Sequence, residues 1–140
     1  MTRQADAVLN DAFVRLYRSL GHYLDSASLV VDVGEDVLPG IIEQQKADAN
    51  TLGRMVYERR GFVETDNFPA TYTDLHYVKA SGLLEFWVQD QKELLAGLES
   101  DLQALPVGSE EHQVLSDIVA RVRQQLGQLE DLYSKVPQLD

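Results

Sequence analysis

The sequence contains no cysteine, which excludes disulfide bonds, thiol nucleophiles and zinc–thiolate sites. It has no apolar run near the roughly 18 residues that a membrane span requires, and no charged segment followed by an apolar run that would indicate a signal peptide. No glycine-rich phosphate loop or Ser-His-Asp arrangement occurs. From these absences we expect a cytoplasmic protein that does not enter a membrane.

Basic residues are scarce, since 12 lysines and arginines oppose 23 aspartates and glutamates and the formal net charge is −11. Such a charge repels nucleic acids and anionic lipids, so we expect neither as a partner. Two interpretations of the acidity stay open. It is either a solvated helix surface that keeps the protein soluble or an acidic face for a basic partner.

Apolar residues recur every three or four positions along most of the chain, which is typical of amphipathic helices. We predict four helices within a single domain, residues 1–140: Arg3 to Ala27, Asp36 to Arg60, Thr73 to Leu105, and Ser109 to just before Pro137. The stretch "SLVVDV" (28–33) would suit a short strand, but it has no partner strand. The predicted fold class is therefore all-α.

The lengths of the connections predict how these helices are ordered. Short links join helix one to helix two and helix three to helix four, so each pair is expected to form a helical hairpin. The loop at 61–73 is longer, and at about 3.3 Å per residue it is able to run the length of a bundle. We predict an antiparallel four-helix bundle of two hairpins joined by a long crossover, the ferritin-like connectivity.

The second helix carries a resemblance to a known family. Its sequence "EQQKADANTLGRMVYERRG" resembles the second helix of bacterioferritin-type proteins of the ferritin-like superfamily. There a Glu, two residues, a His, an Ala and an Asp precede an apolar run and a closing Gly; Glu43, Ala47, Asp48 and Gly61 fit this pattern. The segment "FPATYTDLHYV" resembles an uncharacterised branch of the same superfamily. The resemblance implies a four-helix fold and, in the family, a di-iron centre.

The di-iron ligands do not carry over to this chain. Ferritin-like metal bundles use one Glu from each of two helices and Glu-x-x-His from each of the other two. Lys46 stands at the histidine position of helix two, and the corresponding pair on helix four is Val122 and Gln125. We therefore expect no di-iron site and no cofactor, with Glu43 and Lys46 forming a weak surface pair.

The sequence offers two further sources of metal ligands. An atypical carboxylate site is the alternative hypothesis, and it would make the protein a metal-binding or oxidoreductase member of the superfamily; its candidate ligands are Glu43, Asp48, Glu85 and Asp90. The three histidines are all predicted near helix ends. We expect His112 to be solvated, His76 to make local hydrogen bonds, and His22 to belong to a small polar patch.

Three glutamines interrupt the apolar stripes of three helices near their middles: Gln45, Gln91 and Gln125. A buried amide without a partner costs about 1–3 kcal/mol, so these side chains are expected to satisfy one another, together with Ser19 of helix one. They would then form a neutral polar layer where relatives hold metal. The alternative is that one or more of them lie at the edge of the bundle.

Without catalytic residues, we expect a non-catalytic interaction or structural module. Such a module would form a homodimer or bind another protein. Aromatic residues are enriched at protein interfaces, and Tyr17, Tyr57 and Trp87 are the candidates, although each also suits a core position.

Overall fold

The computed structural model of the protein describes residues 2–19, 37–58 and 80–135. Side chains are described for residues 5–19, 37–58 and 83–135. They form four α-helices and contain no strand, which confirms the all-α class: α1 is Thr2–Tyr17, α2 is Leu38–Glu58, α3 is Ala80–Gln103 and α4 is Glu110–Lys135. The "SLVVDV" stretch, the 61–73 crossover, His22 and His76 lie outside the described residues. No helix within these segments combines the length and apolar character needed to cross a membrane.

The first helix is shorter than its apolar spacing predicts. Helix α1 ends at Tyr17, so the prediction of one continuous helix to Ala27 is wrong. The backbone N–H of Arg18 still bonds the Val14 carbonyl at 2.9 Å, but that of Ser19 bonds Leu16 at 3.2 Å. This change from i−4 to i−3 pairing tightens and closes the last turn. The spacing of apolar residues does not reveal such a turn, because Leu16 and Leu20 are four residues apart, as they would be in a continuous helix.

The start of α4 agrees with its sequence signals. The backbone N–H of His112 donates to the Ser109 hydroxyl at 3.1 Å, which confirms the predicted N-cap. Gly108 precedes the cap with a φ of 89°, a left-handed conformation that glycine adopts without steric cost. Glu110 and Glu111 occupy the first turn, where the positive end of the helix dipole favours carboxylates.

The helices pack most closely in two pairs, α1 with α2 and α3 with α4, while α1 also contacts α3. Gly53 permits a close approach of α2 to α1, since a Cβ atom there would lie 3.0 Å from Cε1 of Phe13. Contact between α2 and α4 is sparse by comparison, so a groove remains between these two helices.

The buried apolar side chains fall into two clusters along the bundle. The first cluster draws on all four helices: Leu9, Ala12, Phe13, Leu16, Ala49, Leu52, Val56, Leu94, Leu98, Leu105, Leu115, Ile118, Val119 and Val122. The second cluster draws on α2, α3 and α4: Leu38, Ile41, Leu83, Leu84, Trp87, Val88 and Leu129. On each of these three helices, one buried glutamine stands between the members of the two clusters.

Candidate functional site

The three glutamines meet inside the bundle. Gln45, Gln91 and Gln125 are 1%, 0% and 5% exposed. The Gln45 amide nitrogen donates to the side-chain oxygens of Gln91 at 2.7 Å and of Gln125 at 3.0 Å. The Gln91 amide nitrogen donates to the Gln125 oxygen at 3.3 Å. Each amide thus contacts the other two, and the set is called the amide layer below.

Two further groups complete the amide layer. Ser19, which is 4% exposed, donates from its hydroxyl to the Gln45 oxygen at 3.4 Å. The Gln91 amide nitrogen also donates to the backbone carbonyl of Val122 at 3.2 Å. Both N–H groups of Gln45 and both of Gln91 therefore have acceptors. Burying a polar group without compensation is costly, and these contacts remove that cost.

An ion pair between a buried carboxylate and a partly exposed arginine lies one turn along α2 from Gln45. The Asp48 side chain is 3% exposed and accepts from Arg121 of α4, with Nη2 to Oδ1 at 2.8 Å and Nε to Oδ1 at 3.2 Å. The Gln44 amide nitrogen adds a bond to the same oxygen at 3.1 Å. The sequence reasoning missed this pair, because it treated Asp48 as a remnant of a metal motif and did not place Arg121.

A second ion pair joins α1 to α3. Arg15 donates from Nε to Asp101 at 3.1 Å and to Asp11 at 3.2 Å. Gly97 lies beneath it, since a Cβ atom there would come within 2.7 Å of Arg15 Cζ. Burial raises the pKa of Asp101 to about 7; a hydrogen bond with Asp11 and its negative charge add to the shift, and Arg15 opposes it.

The carboxylates of the alternative metal hypothesis do not come together. Glu43 and Glu85 are exposed, Asp90 is half-buried, and Asp48 is bound by Arg121. Lys46 is exposed, as expected for a surface residue. Within the described residues, no three His, Cys, Asp or Glu side chains are grouped as a metal ion would require.

The remaining site candidates differ in burial. Trp87 is fully buried in the second cluster, which confirms the core alternative for this residue and contradicts the interface alternative. Tyr17 is half-buried and packs against Phe13 at 5.6 Å between ring centroids. Tyr57 is 76% exposed. His112 is half-buried at the start of α4, so the prediction of a solvated side chain holds only in part.

No family model, no curated protein and no solved structure matches the chain.

The amide layer predicts non-additive effects on stability. Gln125→Leu leaves N–H groups of Gln45 and Gln91 buried without their acceptor, and we expect a loss of about 1–3 kcal/mol in the free energy of unfolding. The triple Gln→Leu variant removes all three polar groups together and should cost less than the sum of the singles. Denaturant unfolding of the singles and the triple measures this difference.

Gln89 provides a matched control for these substitutions, because it lies on α3 two residues before Gln91 but is exposed. Gln89→Leu should change stability by less than about 0.5 kcal/mol. Simple additivity among the three layer variants, or effects as small as that of Gln89→Leu, would contradict the mutual dependence of the three amides.

From the raised pKa of Asp101 we predict that the free energy of unfolding depends on pH. Its pKa is raised from 3.8 to about 7 by folding, so the folded state holds the proton more tightly than the unfolded chain. The resulting stability is fully present below about pH 4 and is lost as pH rises through about 7. One pKa unit corresponds to about 1.4 kcal/mol, which sets an upper limit of about 4 kcal/mol.

Asp101→Asn removes this titration while keeping the size of the side chain. The free energy of unfolding of Asp101→Asn minus that of the wild type should rise between pH 4 and pH 8. Asp117→Asn is the control, since Asp117 is exposed on α4, and its difference from the wild type should stay nearly flat. A flat difference for Asp101→Asn as well would show that Asp101 titrates normally.

Proposed function

We propose that the protein is a non-catalytic helical module of ferritin-like architecture, in which a neutral amide layer occupies the mid-bundle position of a metal site. The amide layer carries this proposal. Ferritin-like metal centres take carboxylates and histidines that project into the bundle core. Here the residues that project into the core are three amides whose hydrogen bonds are directed at one another.

The order of contacts along the helices supports two antiparallel hairpins. Between α3 and α4, Glu99 pairs with Arg123 at 3.0 Å and Lys92 approaches Glu130 at 4.0 Å. Residues later in α3 therefore contact residues earlier in α4, as in an antiparallel pair. Between α1 and α2, Phe13 lies against Gly53 and the later residue Ser19 bonds the earlier residue Gln45, which is again an antiparallel order. A long connection from α2 to α3 then completes the ferritin-like connectivity that we propose.

The chemistry of the amide layer favours a structural role over a redox role. Hard metal ions such as Mn²⁺ prefer carboxylate, carbonyl and water oxygens, and imidazole nitrogen also binds iron. In the amide layer, the Gln91 and Gln125 oxygens already accept hydrogen bonds from neighbouring amides, and all four N–H groups of Gln45 and Gln91 have acceptors. Metal binding would have to break this network without gaining a negative charge.

Iron loading separates the proposed module from the alternative, a ferritin-like oxidoreductase with an atypical carboxylate site. Protein given ferrous iron and then oxygen should show no saturable ferroxidase activity, and elemental analysis should find no stoichiometric iron or manganese. The physical reason is the absence of an inward carboxylate in the amide layer. Stoichiometric metal that is lost in Asp48→Asn would establish the alternative instead.

The role we propose is association with a second copy of the chain or with another protein in the cytoplasm. Among the described residues, Tyr57 is the most exposed aromatic side chain, at 76%, and aromatic residues are favoured at interfaces. The lack of cysteine is in keeping with a reducing compartment. The charge of −11 opposes nucleic acid and anionic lipid as partners.

Light scattering tests the homodimer. We expect the molar mass to rise toward that of a dimer with concentration, and Tyr57→Ser to shift this rise to higher concentration because an exposed anchor is lost. Thr51→Ser, a change at another exposed position of α2, should leave it unchanged. A strict monomer at high concentration would remove the homodimer and leave a different protein as the partner.

A further inference from the structure

We propose that the groove between α2 and α4 is a binding site for a small monocarboxylate. The groove encloses about 300 Å³, the lower end of the range for small-molecule pockets. Its lining is rich in amide groups and contains one cation: Val37, Gly40, Ile41, Gln44, Arg121, Gln124, Gln125 and Gln128. The amide layer does not require such a ligand, so binding in the groove would be a property separate from the proposed module.

Two hydrogen-bond donors in the groove are not used by the described residues. Arg121 binds Asp48 through Nε and Nη2, while its Nη1 group makes no such bond. Gln125 accepts two hydrogen bonds at its side-chain oxygen, while its amide nitrogen has no acceptor in the described part of the chain. Gln125 is 95% buried yet lines the groove. A ligand that supplies acceptor oxygens would therefore complete both groups.

The charges around the groove favour a single negative charge on the ligand. Arg121 offers a planar set of donors that matches a carboxylate, and its side chain is 40% exposed. Asp48 already neutralises part of this cation. The protein as a whole carries −11, so a phosphate dianion would meet more repulsion than a carboxylate. A cationic ligand would face Arg121 directly.

The rest of the lining suits a short apolar chain attached to that carboxylate. Val37, just before α2, supplies half-buried apolar surface, Ile41 borders the groove from the core, and Gly40 between them leaves room because it has no side chain. A Cβ atom added at Gly40 would meet nothing within 4 Å. Gln124 and Gln128 are exposed at the rim. Hexanoate combines a carboxylate with such a chain and is the probe of choice.

Hexanoate binding is measured by calorimetry and by the side-chain amide NMR signals of glutamine, with hexanamide and hexylammonium as matched probes. We expect saturable one-to-one binding of hexanoate, with the largest shift at the Gln125 amide. Hexanamide should bind about tenfold more weakly, because hydrogen bonds to a charged acceptor are stronger, and hexylammonium should not bind. Equal binding of hexanoate and hexanamide, or no saturable binding of hexanoate, would overturn the proposal.

Two glycine substitutions locate the site without disturbing the core. Gly40→Phe fills the groove, whereas Gly127→Phe places the same ring on an exposed position of α4 outside it; a Cβ atom meets nothing within 4 Å at either position. We expect Gly40→Phe to weaken hexanoate binding at least about tenfold, through lost space, and Gly127→Phe to leave it unchanged. Equal affinity for hexanoate in both variants would overturn the assignment to this groove.

Arg121→Lys tests the charged donor. Lysine keeps a cation for Asp48 but lacks the second planar donor group, so hexanoate affinity should fall by about tenfold while circular dichroism still shows the folded helices. Affinity equal to that of the wild type in a folded Arg121→Lys variant would contradict the role given to Arg121. A variant that does not fold leaves the decision to the glycine pair, which stands independently.

Discussion

The amide layer constrains the rest of the structure, because its hydrogen bonds join three helices at one level. Bonds of 2.7 to 3.3 Å among Gln45, Gln91 and Gln125 tolerate little displacement along or around a helix. Sliding one helix by a single turn, about 5.4 Å, would place apolar side chains against buried amides. Apolar cores accept many arrangements of similar volume, so these polar contacts select one alignment of α2, α3 and α4.

The two apolar clusters and the two interhelix ion pairs fit around this alignment. The amide layer stands between the clusters, and the first cluster holds α1 against the other helices. Arg121 then joins Asp48 across the sparse contact between α2 and α4. Arg15 joins Asp101 where α1 meets α3. In both pairs the carboxylate is buried and the arginine side chain is 40% exposed, so loss of the arginine leaves a buried carboxylate without its cation. Each pair therefore resists separation of two helices that the apolar clusters alone hold less specifically.

Periodicity was enough to predict the helices and the inward positions of the glutamines, because both depend on the 3.6-residue repeat. It did not predict the end of α1, where Ser19 turns inward and its backbone changes hydrogen-bond partner. It also did not predict that Asp48 and Asp101 are buried. A carboxylate inside a helical core is expected only once its arginine is known, and both arginines come from distant parts of the chain.

The choice of amides over carboxylates has a consequence for how the bundle is stabilised. Carboxylates gathered at one level of a bundle repel one another until a cation binds, so a metal-site bundle depends in part on its metal. Neutral amides donate and accept among themselves: of the four N–H groups of Gln45 and Gln91, three bond amide oxygens of the layer and one bonds the backbone carbonyl of Val122. In a chain with a net charge of −11, a neutral centre avoids adding to the existing repulsion. The amide layer therefore needs no bound cation to offset a cluster of charge at the centre of the bundle.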